Sequence, residues 1–347
     1  MKAITVAPGQ AGSALLEDIA DPPDADGPIV VETLAIGICG TDVEITSGHY
    51  GWAPPGRARL VLGHESLGRV KEAPSGTDVS VGSLVVGIVR RPDPEPCPNC
   101  AVGEWDMCRN GDYTERGIKQ RDGYGSERYR IEPEFVVEVD PALEQVGVLL
   151  EPTSVVAKAW DQIERIGHRA TWKPRRVLVT GAGPIGLLAS LLGVQRGLEV
   201  HVFDLATGGP KPGLVAALGA TYHTGDIADA CAGADVVIEC TGAGQLVFDA
   251  MEHVSADGIV CLVGVSPAGR RLSVDAGALN TDLVLGNRVV FGSVNANRSH
   301  YQAAATALAR ADLAWLEGLV SRRVPLGEWS QALVRQDGDV KVVIEFS

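Results

Sequence analysis

The pattern of apolar and polar positions changes near residue 150. Before that point, short apolar runs alternate with turns rich in Gly, Pro and Asp, as at residues 30–35 and 85–89. Because these runs are short and few segments show helical periodicity, the pattern predicts a first domain rich in β-strands.

After residue 150 the pattern alternates between helix and strand. A helical pattern covers residues 155–163, and apolar runs predict strands at residues 176–180, 199–204, 235–239 and 259–265. Such alternation indicates a doubly wound α/β domain with a parallel sheet. The chain has 347 residues, 45% of them hydrophobic, which is enough for two domains.

Three glycines lie where the first of these strands gives way to a helix. Gly181, Gly183 and Gly186 form the pattern Gly-x-Gly-x-x-Gly, with Pro184 and Ile185 before the last glycine. The first glycine allows a tight turn, the second lets backbone amides approach phosphates, and the third lets the helix pack on the strand. The pattern predicts that these five residues bind a dinucleotide; the alternative is an ordinary strand-to-helix turn.

Asp204 ends the next strand, where a carboxylate accepts hydrogen bonds from the adenosine ribose. The loop after it contains no arginine to bind a 2′-phosphate, and Asp204 would repel one. NAD is therefore predicted over NADP, although Lys211 leaves NADP possible. Thr241, Gly264 and Val265 follow the two later strands and are predicted to flank the nicotinamide.

The charge of the chain excludes some partners. The formal net charge is −14, and no basic cluster exceeds a pair of arginines, which argues against nucleic acid or an anionic membrane. No signal-like apolar segment and no membrane-length apolar run is present in the sequence. A cytoplasmic protein without a membrane partner is expected.

Cysteine spacing indicates metal binding. Seven cysteines in a chain of this length are unlike the framework of a small secreted protein. Cys97, Cys100 and Cys108, here called the lobe cysteines, lie within twelve residues of one another. This spacing favours a metal site over disulfides.

A second set of metal ligands is spread through the first domain. Cys39 lies near Thr41 in a loop, His64 precedes Glu65 after an apolar segment, and Glu151 lies at the predicted domain junction. Taken singly, each is equally a core thiol or a loop residue. Together they supply sulfur, nitrogen and carboxylate oxygen, a set that suits zinc with an open coordination position.

The order of these motifs resembles that of the zinc-dependent medium-chain alcohol and polyol dehydrogenases along nearly the whole chain. Gly-x-Cys-Gly-Thr-Asp is followed by Gly-His-Glu, then the lobe cysteines, then Gly-x-Gly-x-x-Gly. Within that superfamily the chain is similar to the glucose 1-dehydrogenase branch. That similarity rests on the segments Arg90-Arg-Pro, Tyr113-Thr-Glu-Arg-Gly-Ile, Asp122-Gly-Tyr, Leu150-Glu-Pro, Gly292-Ser-Val-Asn and the C-terminal Lys341-Val-Val-Ile-Glu-Phe.

The resemblance implies a fold and an assembly. A catalytic domain like the β-barrel of chaperonin-10 is expected at residues 1–153 and 296–347, interrupted by a Rossmann domain at residues 154–295. Sugar and cofactor would meet in the cleft between these domains. A homodimer or homotetramer is also implied.

The resemblance also implies residue roles at the metal. Cys39, His64 and Glu151 would hold a catalytic zinc, with Glu65 beside it or exchanging with a ligand. Zinc would lower the pKa of the substrate hydroxyl so that hydride can leave for the nicotinamide. Thr41 would pass the proton onward; the alternative is a threonine that only caps the turn.

Further residues would bind the sugar and the cofactor. Glu115 and Asn295 would contact the sugar together with Thr41 and Glu151, and Ser293 and Asn295 would border the cofactor. The default alternative for Glu115 is a surface carboxylate. Val43 and Val155 stand where some relatives that oxidise glucose carry polar side chains, which leaves the preferred sugar open.

The lobe cysteines match only part of the structural zinc site of such relatives. Aligning the spacing puts Pro94 where a first cysteine should stand. Asp93 or Glu95 would then supply the fourth ligand, with Asp93 as the primary prediction. The alternative is a degenerate loop that holds no metal.

Three functions follow from the sequence. The leading one is a zinc- and NAD(P)-dependent dehydrogenase that oxidises an aldose at C1 to a lactone. The second is a polyol, cyclitol or secondary-alcohol dehydrogenase of the same superfamily. The third is a nucleotide-binding protein without turnover, since a fold alone does not establish function.

Overall fold

Most of the apolar runs form strands. The computed structural model describes residues 1–267, 269 and 271–346 of the chain. It divides into two units, one made of residues 1–154 with those from 295 onward, the other of Val155–Val294.

The strands, in chain order, are β1 (Lys2–Val6), β2 (Leu15–Asp18), β3 (Ile29–Ile38), β4 (Leu60–Val61), β5 (Glu65–Glu72), β6 (Leu84–Gly87), β7 (Arg90–Arg91), β8 (Thr114–Arg116), β9 (Gln120–Arg121), β10 (Arg128–Ile131), β11 (Val136–Glu138), β12 (Arg176–Thr180), β13 (Glu199–Phe203), β14 (Thr221–His223), β15 (Val236–Glu239), β16 (Ile259–Leu262), β17 (Val289–Gly292), β18 (Val320–Pro325) and β19 (Lys341–Glu345). The α-helices are α1 (Gly40–Thr46), α2 (Pro98–Ala101), α3 (Leu150–Gly167), α4 (Pro184–Gln195), α5 (Lys211–Ala217), α6 (Ile227–Cys231), α7 (Gly244–His253), α8 (Ala276–Leu285), α9 (Arg298–Ala309) and α10 (Leu313–Leu319). Shorter 3-10 helices lie at Asp24–Asp26, Trp105–Met107, Pro133–Phe135, Pro141–Leu143, Gly147–Leu149 and Leu326–Leu333.

The second unit contains a parallel sheet with the order β14-β13-β12-β15-β16-β17. Counted within the unit, this is the order 3-2-1-4-5-6 of a doubly wound dinucleotide-binding domain. Its central strands are almost wholly apolar because both faces are covered; Leu178, Val237 and Val260 are all buried in one core. The prediction of a doubly wound Rossmann domain is confirmed.

The topology of this sheet determines where a ligand binds. The chain reverses direction of winding between β12 and β15, so the crevice lies at the carboxyl ends of these two strands. Gly181 follows β12, Asp204 follows β13 and Thr241 follows β15. Three of the residues predicted from the sequence to bind the cofactor therefore lie at one edge of one sheet.

The first unit is organised around β3, which is ten residues long. Along one edge of β3 its first half pairs with β10 and its second half with β19, while β5 pairs along the other edge. The register places Val342 opposite Ile38. The last strand of the chain thus completes a mainly antiparallel sheet begun by the N-terminal segment, as the predicted C-terminal return requires.

None of the helices in the described part of the chain combines the length and apolar character needed to span a bilayer.

Candidate active site

Cys39 lies where β3 gives way to α1. It is the N-cap residue of this helix: the Thr41 N–H donates to Cys39 Sγ at 3.3 Å, and the Cys39 N–H donates to Asp42 Oδ2 at 3.0 Å. These two bonds fix the direction of the thiol. The sulfur therefore lies at the N-terminus of α1, in a fixed orientation.

His64 faces the same sulfur. Its Nε2 lies 3.0 Å from Cys39 Sγ, and its Nδ1 lies 3.4 Å from Asp42 Oδ1. Burial alone would lower the pKa of the imidazole, but the charges of Cys39 and Asp42 raise it well above its ordinary value. The surroundings therefore favour a positive charge on the His64 imidazole. A carboxylate on the far side of the imidazole, as Asp42 is here, is a common feature of metal sites, where it orients the histidine.

Glu65 completes the group, and its position depends on Lys341. Lys341 Nζ donates to Glu65 Oε1 at 2.7 Å and to Oε2 at 2.6 Å, and both side chains are almost wholly buried. The backbone of Gly37 leaves the space for this carboxylate, since a Cβ atom there would collide with Glu65 Oε2. Ligand atoms of Cys39, His64 and Glu65 all lie within 4.8 Å of one another.

Glu151, the third predicted zinc ligand, is not part of this tight group of described side chains. It is buried in the first turn of α3. Burial raises the pKa of its carboxyl to about 7; His64 opposes the rise and Glu65 adds to it. Glu151 therefore interacts electrostatically with the group, and its role as a ligand stays a prediction.

This donor set fits zinc. It offers one sulfur, one imidazole nitrogen and carboxylate oxygens, the combination that zinc prefers in catalytic sites. His64 Nδ1 and Asp42 Oδ1 are also buried without a well-aligned hydrogen bond. A bound metal ion would stabilise these buried polar atoms. The hydroxyl of Thr41 makes no hydrogen bond to another described residue and is available as a proton acceptor.

A second polar network surrounds Glu115. Arg90 Nε and Nη2 donate to Glu115 Oε1 at 3.1 and 2.9 Å, and Asn295 Nδ2 donates to the same oxygen at 2.7 Å. Asn295 adopts a φ of 62°, a conformation that asparagine tolerates better than most residues. The structure therefore places the two predicted sugar-binding residues in direct contact, although 180 positions separate them.

The glycine turn has the geometry that a pyrophosphate requires. Gly181 adopts a φ of 89°, and a Cβ atom at Gly186 would collide with the Gly181 carbonyl. Nothing lies within 4 Å of the position of a Cβ atom at Gly183, so the backbone there is open to a ligand. Pro184 and Ile185 form the first turn of α4, whose N-terminus favours a phosphate.

Asp204 is held in place by three donors. Its Oδ2 accepts from the Ala182 N–H at 2.7 Å and from Lys211 Nζ at 2.9 Å, and its Oδ1 accepts from the Ala206 N–H at 2.9 Å. Burial alone would raise the pKa of Asp204, but these donors hold it below its ordinary value. A fixed, ionised carboxylate is what the ribose prediction requires.

The sequence analysis missed a residue that shapes the carboxyl edge of this sheet next to β15. Glu239, fully buried at the end of β15, accepts from the Thr241 N–H at 2.8 Å, the Gly242 N–H at 3.0 Å and the Thr180 hydroxyl at 3.1 Å. The Thr241 hydroxyl also donates to it. The Gly264 N–H donates to its backbone carbonyl at 2.9 Å. A carboxylate that ends an otherwise apolar run was the available signal.

The other predicted cofactor contacts differ in exposure. Val265 is among the most exposed apolar residues, at 83%. Ser293 is buried, and its hydroxyl has no hydrogen-bond partner among the described residues. The Ser293 N–H donates to the Leu262 carbonyl at 2.9 Å, which places Ser293 beside the end of β16.

The lobe cysteines form a second group of residues that could together bind a metal ion. Their sulfur atoms lie within 4.8 Å of one another. The backbone N–H of Arg109 donates to Cys97 at 3.4 Å and is the main cause that lowers the pKa of this thiol to about 6. Asp93 is buried and its Oδ2 has no partner, whereas Glu95 is exposed. Of the two predicted fourth ligands, only Asp93 has an unused buried oxygen.

The fold and these sites together define a medium-chain dehydrogenase. A family described as the alcohol dehydrogenase GroES-like domain matches residues 25–141, and one described as glucose dehydrogenase C-terminus matches residues 144–346. The chain belongs to the glucose 1-dehydrogenase family of zinc-dependent medium-chain dehydrogenases. The predicted superfamily, branch and chaperonin-10-like catalytic domain are confirmed.

Relatives cover the chain from end to end. Glucose 1-dehydrogenase of Methanocella arvoryzae is 41% identical and that of Thermoproteus tenax 38% identical, each over 99% of both chains. Among solved structures, Haloferax mediterranei glucose dehydrogenase in complex with NADP, Zn and gluconolactone superposes with a TM-score of 0.92 at 31% identity, covering 100% of this chain and 99% of the other.

Proposed function

We propose that this protein oxidises the anomeric hydroxyl of an aldose of the glucose type to a lactone and transfers the hydride to NAD(P). The observation that carries the proposal is the group formed by Cys39, His64 and Glu65 in the same unit as the Glu115–Asn295 pair. A metal site activates a hydroxyl, and a buried carboxylate with an amide and a guanidinium binds the other hydroxyls of a sugar. The glucose 1-dehydrogenase relatives support the same substrate class.

The proposed mechanism assigns roles to the chain's own residues. Cys39, His64 and Glu151 would hold zinc, which when bound would supply a Lewis acid that lowers the pKa of the sugar hydroxyl. The Thr41 hydroxyl accepts the departing proton and passes it toward solvent. Glu115 and Asn295 bind the other hydroxyls and orient the sugar ring relative to the metal-ligand group of the same unit.

The domain roles belong to the same proposal. Residues 1–153 and 296–347 form the catalytic domain, and residues 154–295 form the cofactor domain. The two units into which the chain divides support this assignment. We also propose a homodimer or homotetramer, as family resemblance implies; light scattering of the purified protein would decide between these states.

Initial rates test the function directly. Purified protein would be supplied with NAD or NADP and a panel of aldoses, cyclitols, polyols and secondary alcohols, with zinc measured in the same sample. Aldose-dependent NAD(P)H formation is expected, with a lactone as product. Turnover of only open-chain alcohols or cyclitols would place the protein with polyol dehydrogenases, and no turnover of any substrate by zinc-loaded protein would overturn an enzymatic function.

Asp204 is expected to determine the choice of dinucleotide. Asp204→Asn removes the negative charge that repels a 2′-phosphate and leaves Lys211 free to bind one, since their ion pair at 2.9 Å is lost. The ratio of kcat/KM for NAD to that for NADP should fall by about tenfold or more, because an exposed phosphate contact contributes roughly 1.4 kcal/mol. Lys211→Met serves as the matched variant and should lower kcat/KM for NADP. An unchanged ratio in Asp204→Asn would refute the assignment.

We propose that the lobe cysteines and Asp93 bind a second zinc. Asp93→Ala should lower the zinc content of the protein by about one ion per chain and decrease its thermal stability, because structural zinc contributes to folding. Glu95→Ala, on the same loop but exposed, is the control and should change neither. A wild-type protein that retains only one zinc per chain would contradict this site.

A further inference from the structure

Two large aromatic side chains are exposed beside the Glu115 network. Tyr50 is 41% exposed and Trp52 is 46% exposed, and their rings meet edge to face with centroids 5.1 Å apart. Paired aromatic rings that remain in water near buried polar groups are typical of binding sites, where aromatic walls surround a few polar groups.

Trp52 is hydrogen-bonded to the turn and the strand that follow β8, the strand that carries Glu115. The Trp52 N–H donates to the Ile118 carbonyl, and the Gln120 N–H donates to the Trp52 carbonyl, both at 2.9 Å. The turn between β8 and β9 is itself closed by bonds between Glu115 and Lys119 at 2.8 and 2.9 Å. Trp52 and Glu115 therefore belong to one hydrogen-bonded framework.

The ring of Tyr113, in contrast to those of Tyr50 and Trp52, is in contact with cations. The Arg90 guanidinium lies 3.7 Å from the centroid of the Tyr113 ring, and Lys119 Nζ lies 4.1 Å from it. Cations therefore already contact this ring. In the described part of the chain no cation lies over Tyr50 or Trp52, and both side chains remain partly exposed to a ligand.

The same framework reaches the metal-ligand group. The segment after β9 returns along the chain before His64, where the Tyr124 N–H donates to the Gly63 carbonyl at 2.8 Å. At the other end, Cys39 is the N-cap residue of α1, and the buried Ile45 of this helix precedes Tyr50 by five positions. Backbone connections thus join the aromatic pair, Glu115 and the metal ligands within one unit.

We propose that Tyr50 and Trp52 form an aromatic platform on which the ring of a pyranose packs while Glu115 and Asn295 bind its hydroxyls. The inference rests on the proposed function and adds a specificity determinant to it. A pyranose has a face of C–H bonds, which pack against the electron-rich face of an aromatic ring. An open-chain alcohol has no such face, so the platform favours sugars in ring form.

Substitution of Trp52 tests the platform. Trp52→Ala should raise KM for glucose about five- to tenfold, the factor expected for loss of one aromatic stacking contact, and change kcat by less than about threefold. The KM for NAD(P) should stay at the wild-type value. Trp52→Phe keeps an aromatic face and should restore KM for glucose to within about threefold of the wild type.

Two controls separate the platform from general damage. Trp329→Ala removes a half-buried tryptophan from a 3-10 helix of the same unit and should leave KM for glucose unchanged. Thermal unfolding of each variant verifies the fold. If wild-type protein oxidises glucose and Trp52→Ala keeps its KM, or if Trp52→Phe fails like Trp52→Ala, the platform is wrong. If wild-type protein oxidises no aldose, the proposed function itself fails.

Discussion

Replacing Cys39 with serine is expected to lower kcat for sugar oxidation by about a thousandfold or more, since metal activation of the hydroxyl supplies several kcal/mol of barrier reduction. Serine keeps the N-cap of α1, because its hydroxyl accepts the bond that the Thr41 N–H now donates to sulfur. The fold should therefore survive while the thiolate ligand is lost. Zinc content should fall by one ion per chain, measured together with kcat.

A matched cysteine makes this result specific. Cys231 is buried in α6 of the second unit. It belongs neither to the group of Cys39, His64 and Glu65 nor to the lobe cysteines. Cys231→Ser should leave zinc content and kcat near the wild-type values, although thermal stability decreases because a hydroxyl is buried. A Cys39→Ser protein that keeps its zinc and more than about a tenth of wild-type kcat would exclude Cys39 from the catalytic site.

The sequence predicted those parts of the molecule that depend on neighbours in the chain. The strands of the second unit are local apolar runs, and the glycine triplet needs only the adjacent strand and helix to form its turn. The position of Asp204 follows from the same regularity, because parallel strands end at one edge of a sheet. These predictions required no knowledge of distant contacts.

Contacts between distant segments were not predictable from local patterns. Lys341 and Glu65 are 276 positions apart, and only the pairing of β19 with β3 and of β3 with β5 brings them together. Glu239 was missed for another reason: its carboxylate accepts hydrogen bonds from Thr180 at the end of β12 and from the loop after β15, and these contacts are not evident from one strand alone. Family resemblance predicted that Asn295 and Glu115 bind the same sugar, but their direct hydrogen bond was not predicted.

At the lobe cysteines the structure helps to choose between two fourth ligands that the sequence leaves open. Asp93 and Glu95 are two positions apart and chemically equivalent as oxygen donors, so spacing alone cannot separate them. Burial distinguishes them: Asp93 Oδ1 accepts from the Glu95 N–H at 2.8 Å and its Oδ2 is buried without a partner, whereas Glu95 is exposed. This difference supports Asp93 over Glu95 as the proposed fourth ligand, although Asp93 is not part of the group that the three cysteines form.

Glu65 and Glu151 are both carboxylates close to His64, but their surroundings differ. Both oxygens of Glu65 accept from Lys341, which commits this carboxylate to an ion pair. No lysine or arginine of the described chain forms an ion pair with Glu151, and burial raises its pKa to about 7. Glu151 would therefore gain more than Glu65 from a bound cation, which supports its proposed role as the zinc ligand.

Removing the partner of Glu65 should destabilise the first unit strongly. Lys341→Met keeps the length of the side chain and its apolar contacts but leaves the Glu65 carboxylate buried without its cation. Such a loss typically costs about 3–5 kcal/mol of unfolding free energy, and in a unit of this size it should lower the midpoint of thermal unfolding by on the order of 10 °C. Calorimetry measures this decrease in the midpoint. The protein is first treated with a chelator, so that a bound metal ion cannot replace the lost charge.

The double variant Lys341→Met/Glu65→Gln tests the cause of this effect. Removing both charges eliminates the unpaired carboxylate, and replacing a buried ion pair by uncharged groups is often close to neutral. The double variant should therefore unfold at a higher temperature than Lys341→Met alone, although the mutated site has lost more charge. This order distinguishes an electrostatic role from simple packing, since a packing defect would be retained or increased by the second substitution. If the double variant is no more stable than Lys341→Met, the unpaired Glu65 charge is not the source of the instability.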